Sequence, residues 1–544
     1  MVTRRGFVLL IAAVVLVGLA QLLVLPPFEG FDETAHYSYI REIADTRTIP
    51  IFGQSTIAKL VAEYHRWGPM PYASVVPFNQ NGGWTYQTFA ANAGARERYR
   101  DRYRRPDVSA RRYQTTSELN WETQHPPLYY ALLAPVMRAT DGLSFNAQFL
   151  VLRLVSYVLA LLGLLIGLYG TLHFLPGASS TTRAQVAGTF LYPFLVPMFL
   201  PEFARLGNDS LCMFFVGTAW LALLAVTADP NQRTPALLLG LSIGLGLLTK
   251  AFFLPIGSGA CGYLFYRCYV ARHDPRLARA RLQQAVLATL LAILIGGWWY
   301  VYKFVAFHSV TGGAELMNLD AQGGLLPNLQ QKFAIRYFAR GFVALLATAY
   351  YTSTWSLARL PEWLYIPGLA LLFVIGIGVC RRLRQSELSA PDWAPVWLAA
   401  PIVGGFLYFI LARIALTESG NNIGGWYFNI LAPAITVLFG FGLQDAISRQ
   451  WTRWLAAVLG AYAALFFIAG QWAQTTLYAG CAIKTAENKY YVFPDAYFCF
   501  NRMSDASSHL SVIGWPGAAA TCFLIGLLCL ALGTRSLMSR AAEA

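Results

Sequence analysis

The sequence predicts an all-α protein that crosses a membrane about twelve times. Of its 544 residues, 56% are hydrophobic and only 12% are charged, which is far from the composition of a soluble chain. Long apolar runs recur along the whole chain, and about 20 apolar residues in a helix span a bilayer with every backbone amide satisfied. Arginines are concentrated in every second connection between these runs, as expected for cytoplasmic loops.

The first apolar run, 6–25, follows Arg4 and Arg5 and therefore resembles the start of a signal peptide. Its apolar part is too long for that class, no small-residue cleavage site precedes Pro26, and further runs follow. We therefore expect an uncleaved first helix with a cytoplasmic N-terminus. The other predicted spans are 147–172, 184–201, 209–228, 235–249, 251–270, 283–303, 362–380, 394–412, 427–446, 454–470 and 516–534.

The distribution of positive charge predicts that both termini are cytoplasmic. From an inside start, the short cytoplasmic connections hold most of the loop arginines, and the short external turns hold only Arg205, Lys250 and Arg413. These anchoring arginines largely account for the net charge of +14, so we do not interpret it as a nucleic-acid footprint. Three stretches too long and polar for turns fall outside: 26–125, 304–361 and 471–515.

The external stretches are where function is expected. The cytoplasmic connections contain no P-loop and no dinucleotide-binding fingerprint, which argues against an activity fed by a cytosolic nucleotide. Tyr, Trp, Asn and Gln are frequent outside, as in 79–86, a composition suited either to binding sugars or to a membrane-surface aromatic belt. Cys481 and Cys499 share the third external stretch, where an oxidising periplasm permits a disulfide.

Two stretches outside the predicted spans have helical character. The run from Arg96 to Arg112 mixes basic and acidic residues, which is typical of a solvated helix, although an anionic lipid headgroup or an acidic acceptor is an alternative partner. The partly apolar segment 331–355 is assigned as an interfacial helix. If it were counted as a span, the arginine cluster 381–384 would lie on the external side, against the usual cytoplasmic bias of positive charge.

The strongest chemical signal directly follows the first span. Glu29, Asp32, Glu33 and His36 crowd a short stretch at the predicted membrane surface. If this stretch is helical, Asp32 and His36 lie one turn apart on one face. A carboxylate near a low-dielectric boundary and near like charges has a raised pKa, which suits a general base. The alternative is that these acids cap the loop helix and pair with arginines such as Arg41.

Four motifs, in this order, resemble the GT-C glycosyltransferase superfamily and, within it, a bacterial family of polytopic membrane proteins. They are Gly30-Phe31-Asp32-Glu33 with His36, then His125-Pro126-Pro127-Leu128-Tyr129-Tyr130, Asn208-Asp209-Ser210-Leu211 and Leu248-Thr249-Lys250. The resemblance covers most of the chain. It implies a GT-C type bundle over 1–470, followed by a segment 471–544 that holds an external loop and the last span. It also implies a bacterial inner-membrane protein with its active site on the periplasmic side.

The resemblance implies an inverting enzyme that moves a sugar from a polyprenyl-phosphate carrier to an external acceptor. The acidic residue of the first external loop is the family's base, so Asp32 is the predicted base. Glu33 is the reserve, because adjacent carboxylates cannot be ranked from sequence. Lys250 matches the family position that contacts the donor phosphate, and Arg205 could approach the same phosphate, whose leaving charge needs fixed cations or donors. The other predicted pocket residues are His36, His125, Asn208, Asp209 and Tyr427.

The same resemblance leaves the cofactor and the substrates open. Asp32 and Asp209 are the residues that could hold a divalent cation such as Mg²⁺ or Ca²⁺. Relatives commonly show a Gly-Arg-Tyr pattern where this chain has Gly425, Trp426 and Tyr427. Trp426 therefore replaces the arginine of that pattern. The expected partners are the lipid-linked sugar, membrane lipids and an acceptor, with no nucleic acid. A pentose such as arabinofuranose is one candidate sugar, and envelope glycan, lipid A and a surface protein such as a pilin are candidate acceptors.

Two other functions compete with glycosyl transfer. An O-antigen polymerase or ligase also has about a dozen spans and large external loops, but catalytic Arg and His would be expected there rather than an acidic motif after the first span. A lipid-linked-sugar transporter or flippase should show charges buried within spans or paired broken helices. Apart from prolines such as Pro193 and Pro197, the spans show few such features.

Overall fold

The computed structural model of the chain is built almost entirely from helices. It describes residues 4–73, 75–78, 82–104, 107, 111–175, 179–311, 314–357, 360–384, 390–419, 424–447, 450–481, 483–484, 491–492 and 517–538. The helices are α1 (Arg4–Val24), α2 (Glu33–Thr46), α3 (Lys59–Ala62), α4 (Tyr86–Ala91), α5 (Ala93–Arg104), α6 (Leu128–Ala139), α7 (Phe145–Phe174), α8 (Ser179–Leu195), α9 (Phe199–Ala204), α10 (Asp209–Ala228), α11 (Thr234–Leu247), α12 (Phe253–Val270), α13 (Pro275–Ala292), α14 (Trp298–Phe307), α15 (Ala314–Ala321), α16 (Leu325–Lys332), α17 (Ile335–Tyr350), α18 (Tyr365–Leu383), α19 (Ala390–Thr417), α20 (Ala432–Ile447), α21 (Gln450–Tyr478) and α22 (Gly517–Met538). The described part also has a short antiparallel pair, β1 (Ile483–Lys484) and β2 (Tyr491–Val492), a π-helical turn (Ile293–Gly297) and short 3-10 helices such as Trp121–Gln124 and Gly425–Leu431.

Each of the twelve predicted spans coincides with a helix, which confirms the all-α prediction. Eight helical segments of the described residues are long and apolar enough to cross a bilayer. They are Arg4–Val24, Phe145–Phe174, Asp209–Ala228, Pro275–Phe307, Glu362–Leu383, Trp393–Thr417, Gly425–Gln444 and Gly517–Leu537. The total of about twelve spans, the cytoplasmic termini and the inner-membrane location stay predictions.

Two predicted spans are interrupted at one end. α8 stops at Leu195, and the short helix α9 follows a turn that contains Pro197, whose ring cannot continue a regular helix. α11 stops at Leu247, and the turn before α12 carries Lys250. These breaks matter because they place polar side chains at the ends of apolar helices.

Small residues bring the central helices α7 and α10 into close contact. A Cβ added at Gly163 would lie 2.4 Å from the carbonyl oxygen of Met213, and one added at Gly217 would lie 2.1 Å from that of Gly163. Neither position accepts a side chain without moving backbone. This is the packing by which helices associate where lipid removes the hydrophobic driving force between them.

The first external stretch folds onto the bundle rather than forming a separate domain. Phe28 lies at its centre and packs against the rings of Tyr64 and Phe149 at centroid distances of 5.0 and 5.2 Å. The buried guanidinium of Arg41 pairs with Asp141 at 3.0 Å. Since Phe149 belongs to α7 and Asp141 to the α6–α7 turn, the loop and the helices share one core.

The arginine-rich run is only partly a solvated helix. On α5, Ala95, Tyr99 and Tyr103 recur every four residues and are buried, while the charged side chains between them are largely exposed. Beyond the helix, the buried Arg111 donates to the carbonyl oxygens of Asp141 and Leu143, both at 2.7 Å. Arg111 therefore has a structural role that its place in a charged run did not indicate.

The predicted interfacial segment contains α17, an amphipathic helix. Gly341, Leu345 and Tyr350 face the protein, whereas Ile335 and Val343 are 73% and 63% exposed. A helix with one apolar outer face suits a membrane surface, and its position relative to a bilayer stays a prediction.

The three predicted external stretches meet at one end of the bundle. Glu29 of the first stretch accepts from the hydroxyl of Thr354 in the second at 2.8 Å, and that hydroxyl lies 2.7 Å from the hydroxyl of Tyr478 in the third. Cys481 is disulfide-bonded. Cys499 lies outside the described residues, so the predicted pairing of these two cysteines stays a prediction.

Candidate active site

Asp32 sits at the start of α2 in an unusual backbone conformation. Its φ is +60°, in the left-handed region that aspartate tolerates better than most residues. Arg205 donates from Nη1 to the carbonyl oxygen of Phe31 at 2.7 Å, and Trp121 donates from Nε1 to Oδ1 of Asp32 at 3.2 Å. Backbone strain of this kind is concentrated at functional sites. The helix starts at Glu33, so Asp32 precedes the helix and does not lie within it.

The surroundings of Asp32 favour its protonated form more than water does. Burial raises the pKa of its carboxyl above the ordinary value, while the positive charges of Arg205 and Lys250 and the Trp121 hydrogen bond lower it, and Asp209 raises it slightly. Asp32 nevertheless remains partly exposed, unlike Glu29 and Glu33. Among the described residues, its carboxylate receives a single hydrogen bond.

Both carboxylate oxygens of the neighbouring residue, Glu33, accept hydrogen bonds from buried donors. Its two oxygens accept from Nε and Nη2 of Arg153 at 2.7 and 2.6 Å. They also accept from the backbone N–H groups of Leu206 at 2.8 Å and Gly30 at 3.0 Å. The side chain is 0% exposed. A buried bidentate pair of this kind fixes the first loop against α7.

Glu29 ties the first loop to the second external stretch. Its carboxylate accepts from Tyr86 at 2.7 Å and from the hydroxyl of Thr354 and the backbone N–H of Ser356, both at 2.8 Å. Burial raises its pKa to about 7, against the lowering effect of these hydrogen bonds. This carboxylate connects distant segments of chain around the site.

Four charged side chains from the two helix breaks form a buried network beside Asp32. Asp209 accepts from Lys250 at Oδ1 and from Arg205 at Oδ2, both at 2.8 Å. Arg205 also contacts Glu202 at 2.6 Å. All four side chains are at most 5% exposed, and opposite charges in such a network offset the cost of removing each from water.

Lys250 retains donors for a further partner. Among the described residues its Nζ donates one hydrogen bond, to Asp209, and an ammonium has three N–H groups. The rings of Tyr427 and Phe252 lie 4.3 and 5.3 Å from Nζ, a cation–π arrangement that leaves the remaining N–H groups unpaired. The predicted pocket residue Tyr427 therefore lies at this cation.

The two predicted histidines meet at a carboxylate that the sequence did not single out, Glu122. Its Oε2 lies 3.3 Å from Nδ1 of His36 and 3.5 Å from Nε2 of His125. Tyr130 donates to the same oxygen at 3.0 Å and in turn accepts from Asn208 at 3.3 Å. The predicted pocket residues His36, His125 and Asn208 thus belong to one polar cluster.

Burial sets the protonation of this cluster. It raises the pKa of Glu122 to about 8, reinforced by the negative charge of Asp32. It lowers the pKa of His36 well below its ordinary range and that of His125 to about 3, with the positive charges of Lys250 and Lys303 acting in the same direction. Burial therefore favours neutral imidazoles and a protonated carboxyl in this cluster.

This pKa shift predicts how Glu122→Gln alters the pH dependence of stability. In the unfolded chain the carboxyl ionises near its ordinary 4.5, and in the folded protein near 8. Its contribution to the free energy of unfolding is full below the unfolded pKa and is lost as pH rises through the folded pKa. The glutamine variant should gain stability relative to wild type as pH rises from about 4.5 to about 8. Thermal unfolding in detergent measures this, and parallel pH curves for the two proteins would contradict it.

Aromatic rings cover the site on the side of the second external stretch and the Gly425–Leu431 turn. Phe31 stacks on Trp426 at 4.3 Å with an interplanar angle of 1°, and its edge contacts Trp355 at 4.9 Å. The indole N–H groups of Trp426 and Trp355 are buried and find no hydrogen-bond partner among the residues that the structure describes. Unpaired buried donors are rare in proteins and indicate that a polar partner belongs there.

The residues do not fit a divalent cation. Both oxygens of Asp209 are already held by cations, Arg205 and Lys250. These would repel a metal ion that approached Asp32 and Asp209 together. Within the described residues no group of three His, Cys, Asp or Glu side chains could hold a metal ion.

Several residues of the site were missed by sequence reasoning. Arg153 stands within the apolar run of α7, and a charge in a predicted span is a functional or structural signal in itself. Trp121 and Glu122 precede His125 by three or four positions, but neither carries a motif. Glu202 lies at the end of a predicted span, where an acid resembles an ordinary boundary residue.

No family model and no curated protein matches the chain. Among solved structures, it is similar to ArnT from Cupriavidus metallidurans bound to undecaprenyl phosphate, at 12% identity and a TM-score of 0.49, over 99% of this chain and 79% of that one. It is also similar to the oligosaccharyltransferase AglB of Archaeoglobus fulgidus in complex with an inhibitory peptide and a dolichol-phosphate, at 14% identity and a TM-score of 0.37, over 89% of this chain and 56% of that one. An oligosaccharyltransferase of Archaeoglobus fulgidus in complex with Zn and sulfate matches at 14% identity and a TM-score of 0.38, over 84% of this chain and 53% of that one. At these identities and TM-scores, the structural likenesses by themselves assign no activity to the chain.

Proposed function

We propose that the chain is an inverting glycosyltransferase that moves a sugar from a polyprenyl-phosphate carrier to an acceptor outside the bacterial inner membrane. The observation that carries this proposal is the juxtaposition of Asp32, a partly exposed and lightly held carboxylate, with the buried cation Lys250. A base and a phosphate-binding cation are the two groups that glycosyl transfer from a lipid phosphate needs. In this proposal 1–470 is the catalytic region.

The reaction is a single displacement. The acceptor's hydroxyl or amine attacks the anomeric carbon, its proton passes to the Asp32 carboxylate, and the bond between the anomeric carbon and the phosphate oxygen breaks. The electron pair of that bond leaves with the phosphate, whose growing negative charge is stabilised by the ammonium of Lys250. Attack opposite the leaving group inverts the configuration. The raised pKa of Asp32 makes its carboxylate a better proton acceptor than an exposed one.

Asp32 suits the role of base better than Glu33. The oxygens of Glu33 are occupied by Arg153 and two backbone N–H groups, and the side chain has no solvent access. A base has to reach the acceptor's proton directly or through one water. We therefore propose Asp32 as the base and Glu33 as a structural residue.

Arg205 is better suited to position the site than to bind the donor phosphate. Four of its N–H contacts go to Glu202, Asp209 and the carbonyl oxygen of Phe31. By holding that carbonyl it supports the left-handed turn at Asp32. Lys250, with its unused donors, is then the residue that meets the phosphate.

Lys250→Ala should weaken donor use more than it weakens folding. A hydrogen bond to a charged group contributes about 1.5–3 kcal/mol, so the apparent affinity for the polyprenyl-phosphate sugar should fall about ten- to a hundredfold. Asp209 keeps Arg205 as a partner in this variant, which limits the loss of stability. Donor titration of the purified variant measures the effect. A variant that differs only in expression level would make Lys250 a simple anchor at the membrane surface.

The identity of the sugar and of the acceptor is tested in cells. We propose a pentose such as arabinofuranose as a candidate sugar, and an envelope glycan, lipid A or a surface protein such as a pilin as acceptor. Mass spectrometry of these three fractions, from a deletion strain that carries the wild-type or the Asp32→Asn gene, should show one sugar mass that only the wild-type gene restores. Restoration by both genes would favour the polymerase and transporter alternatives.

A further inference from the structure

Lys303 is a buried cation that has no counter-charge within the described part of the chain. It lies on α14, is 1% exposed, and contacts neither a carboxylate nor a hydrogen-bond acceptor among the described residues. Its Nζ lies 4.8–5.3 Å from the centres of three rings, those of Phe307, Phe52 and Trp299. Trp299 and Phe307 are one helical turn away on either side, and Phe52 comes from the first external stretch.

This environment sets Lys303 apart from the other buried cations of the described residues. Arg41, Arg153, Arg205 and Lys250 each contact a carboxylate, and Arg111 donates to backbone carbonyl oxygens. Cation–π contacts stabilise an ammonium, but they replace only part of the solvation it loses on burial. A buried charge without a counter-ion is therefore a sign that an anion binds there.

The position of Lys303 indicates where that anion comes from. The outer face of α14 is apolar and exposed, with Val301 at 64% and Val305 at 71%, so it faces lipid in a membrane. A π-helical turn, Ile293–Gly297, immediately precedes α14, and such turns occur frequently at functional sites. On its inner side Lys303 is close enough to the candidate active site for its charge to lower the pKa of His125.

We propose that Lys303 binds the phosphate of a membrane lipid that reaches the candidate active site along the outer face of α14. Phosphate is the common anion of lipid headgroups, and an ammonium between a lipid-facing helix and a loop is placed to receive it. Phe52, on a loop rather than a helix, is the wall of the aromatic cage that moves to admit the headgroup. This cation is a different residue from the donor-phosphate cation Lys250, and the proposal does not depend on glycosyl transfer.

The test compares Lys303→Met with Lys332→Met in the purified full chain. Methionine fills the cage without charge, whereas Lys332 donates to the carbonyl oxygen of Ala415 and serves as the matched control. Native mass spectrometry and thermal unfolding are measured with undecaprenyl phosphate, phosphatidylglycerol, uncharged undecaprenol and inorganic phosphate. Wild type and Lys332→Met should bind and be stabilised by a phosphate-bearing lipid but not by undecaprenol.

Lys303→Met should bind that lipid about ten- to a hundredfold more weakly. Without lipid it should unfold at the wild-type temperature or above, because an unpaired buried charge has been removed.

A response to undecaprenyl phosphate alone identifies a polyprenyl carrier, and a response to phosphatidylglycerol as well identifies a general anionic phospholipid. Unchanged lipid binding, or equal stabilisation by inorganic phosphate, would overturn the proposal. A lower unfolding temperature without lipid would show instead that the cage is purely structural. The undecaprenyl phosphate measurement is repeated in the Lys250→Ala background, where a loss of binding caused by Lys303→Met cannot be attributed to the donor-phosphate cation Lys250.

Discussion

Asp32→Asn is expected to reduce glycosyl transfer by about a hundredfold to ten-thousandfold, the range that a general base contributes. The amide has almost the same shape as the carboxylate, and its oxygen can still accept the hydrogen bond that Trp121 donates. It cannot take up the acceptor's proton. Transfer of the sugar from a polyprenyl-phosphate donor, followed with purified protein, measures the loss.

Folding of the Asp32→Asn variant should be unimpaired, because the carboxylate forms no ion pair in the described residues and its burial opposes ionisation. Thermal unfolding checks this. Glu118→Gln is the matched control, since it makes the same chemical change at an exposed position of the same external stretch. Activity of Asp32→Asn close to that of the control would remove Asp32 from the mechanism.

Glu33→Gln, one position further along the chain, is expected to affect folding instead. It leaves the guanidinium of Arg153 buried without its counter-charge, since Arg153 and Glu33 are 3% and 0% exposed at the side chain. Removing one partner of a buried pair costs about 3–5 kcal/mol, a large part of the stability of a typical protein. The variant should therefore give little folded protein, as judged by size-exclusion profile and unfolding temperature in detergent.

The double variant Glu33→Gln/Arg153→Met separates this pairing from other effects. Removal of both charges leaves no unpaired ion, so the double variant should be more stable than Glu33→Gln alone, and the difference measures the coupling between the two side chains. A Glu33→Gln protein that folds normally but lacks transfer would instead move the role of base to Glu33.

The arrangement of the site explains why adjacent carboxylates have such different expected effects. Asp32 is held by a single indole N–H at the start of α2, whereas Glu33 is enclosed by α7 and by the segment before α10. Neighbouring residues at a helix start point in different directions. One of the two acids is therefore left accessible beside Lys250, and the other holds the loop in place.

The positions of the membrane helices could be read from the sequence. Every backbone N–H and C=O within a bilayer has to be satisfied inside its own segment, so an apolar run of sufficient length has to be helical. α1, α7, α10 and α22 lie where those runs lie. The amphipathic character of α17 follows in the same way from the spacing of its apolar residues. These properties are local, because each is determined by residues close together in the chain.

Local sequence patterns thus indicate an all-helical membrane architecture, an acidic motif after the first span and a set of candidate polar residues. Which of these residues contact each other depends on how the helices and loops pack in three dimensions. Glu33 meets Arg153 across 120 positions, Asp32 meets Trp121 across 89, and Asp209 meets Lys250 across 41. The physical reason is that the accessibility and the charge partner of a carboxylate are set by neighbours in space. Apolar periodicity locates helices, but it carries no information about which polar ends they bring together.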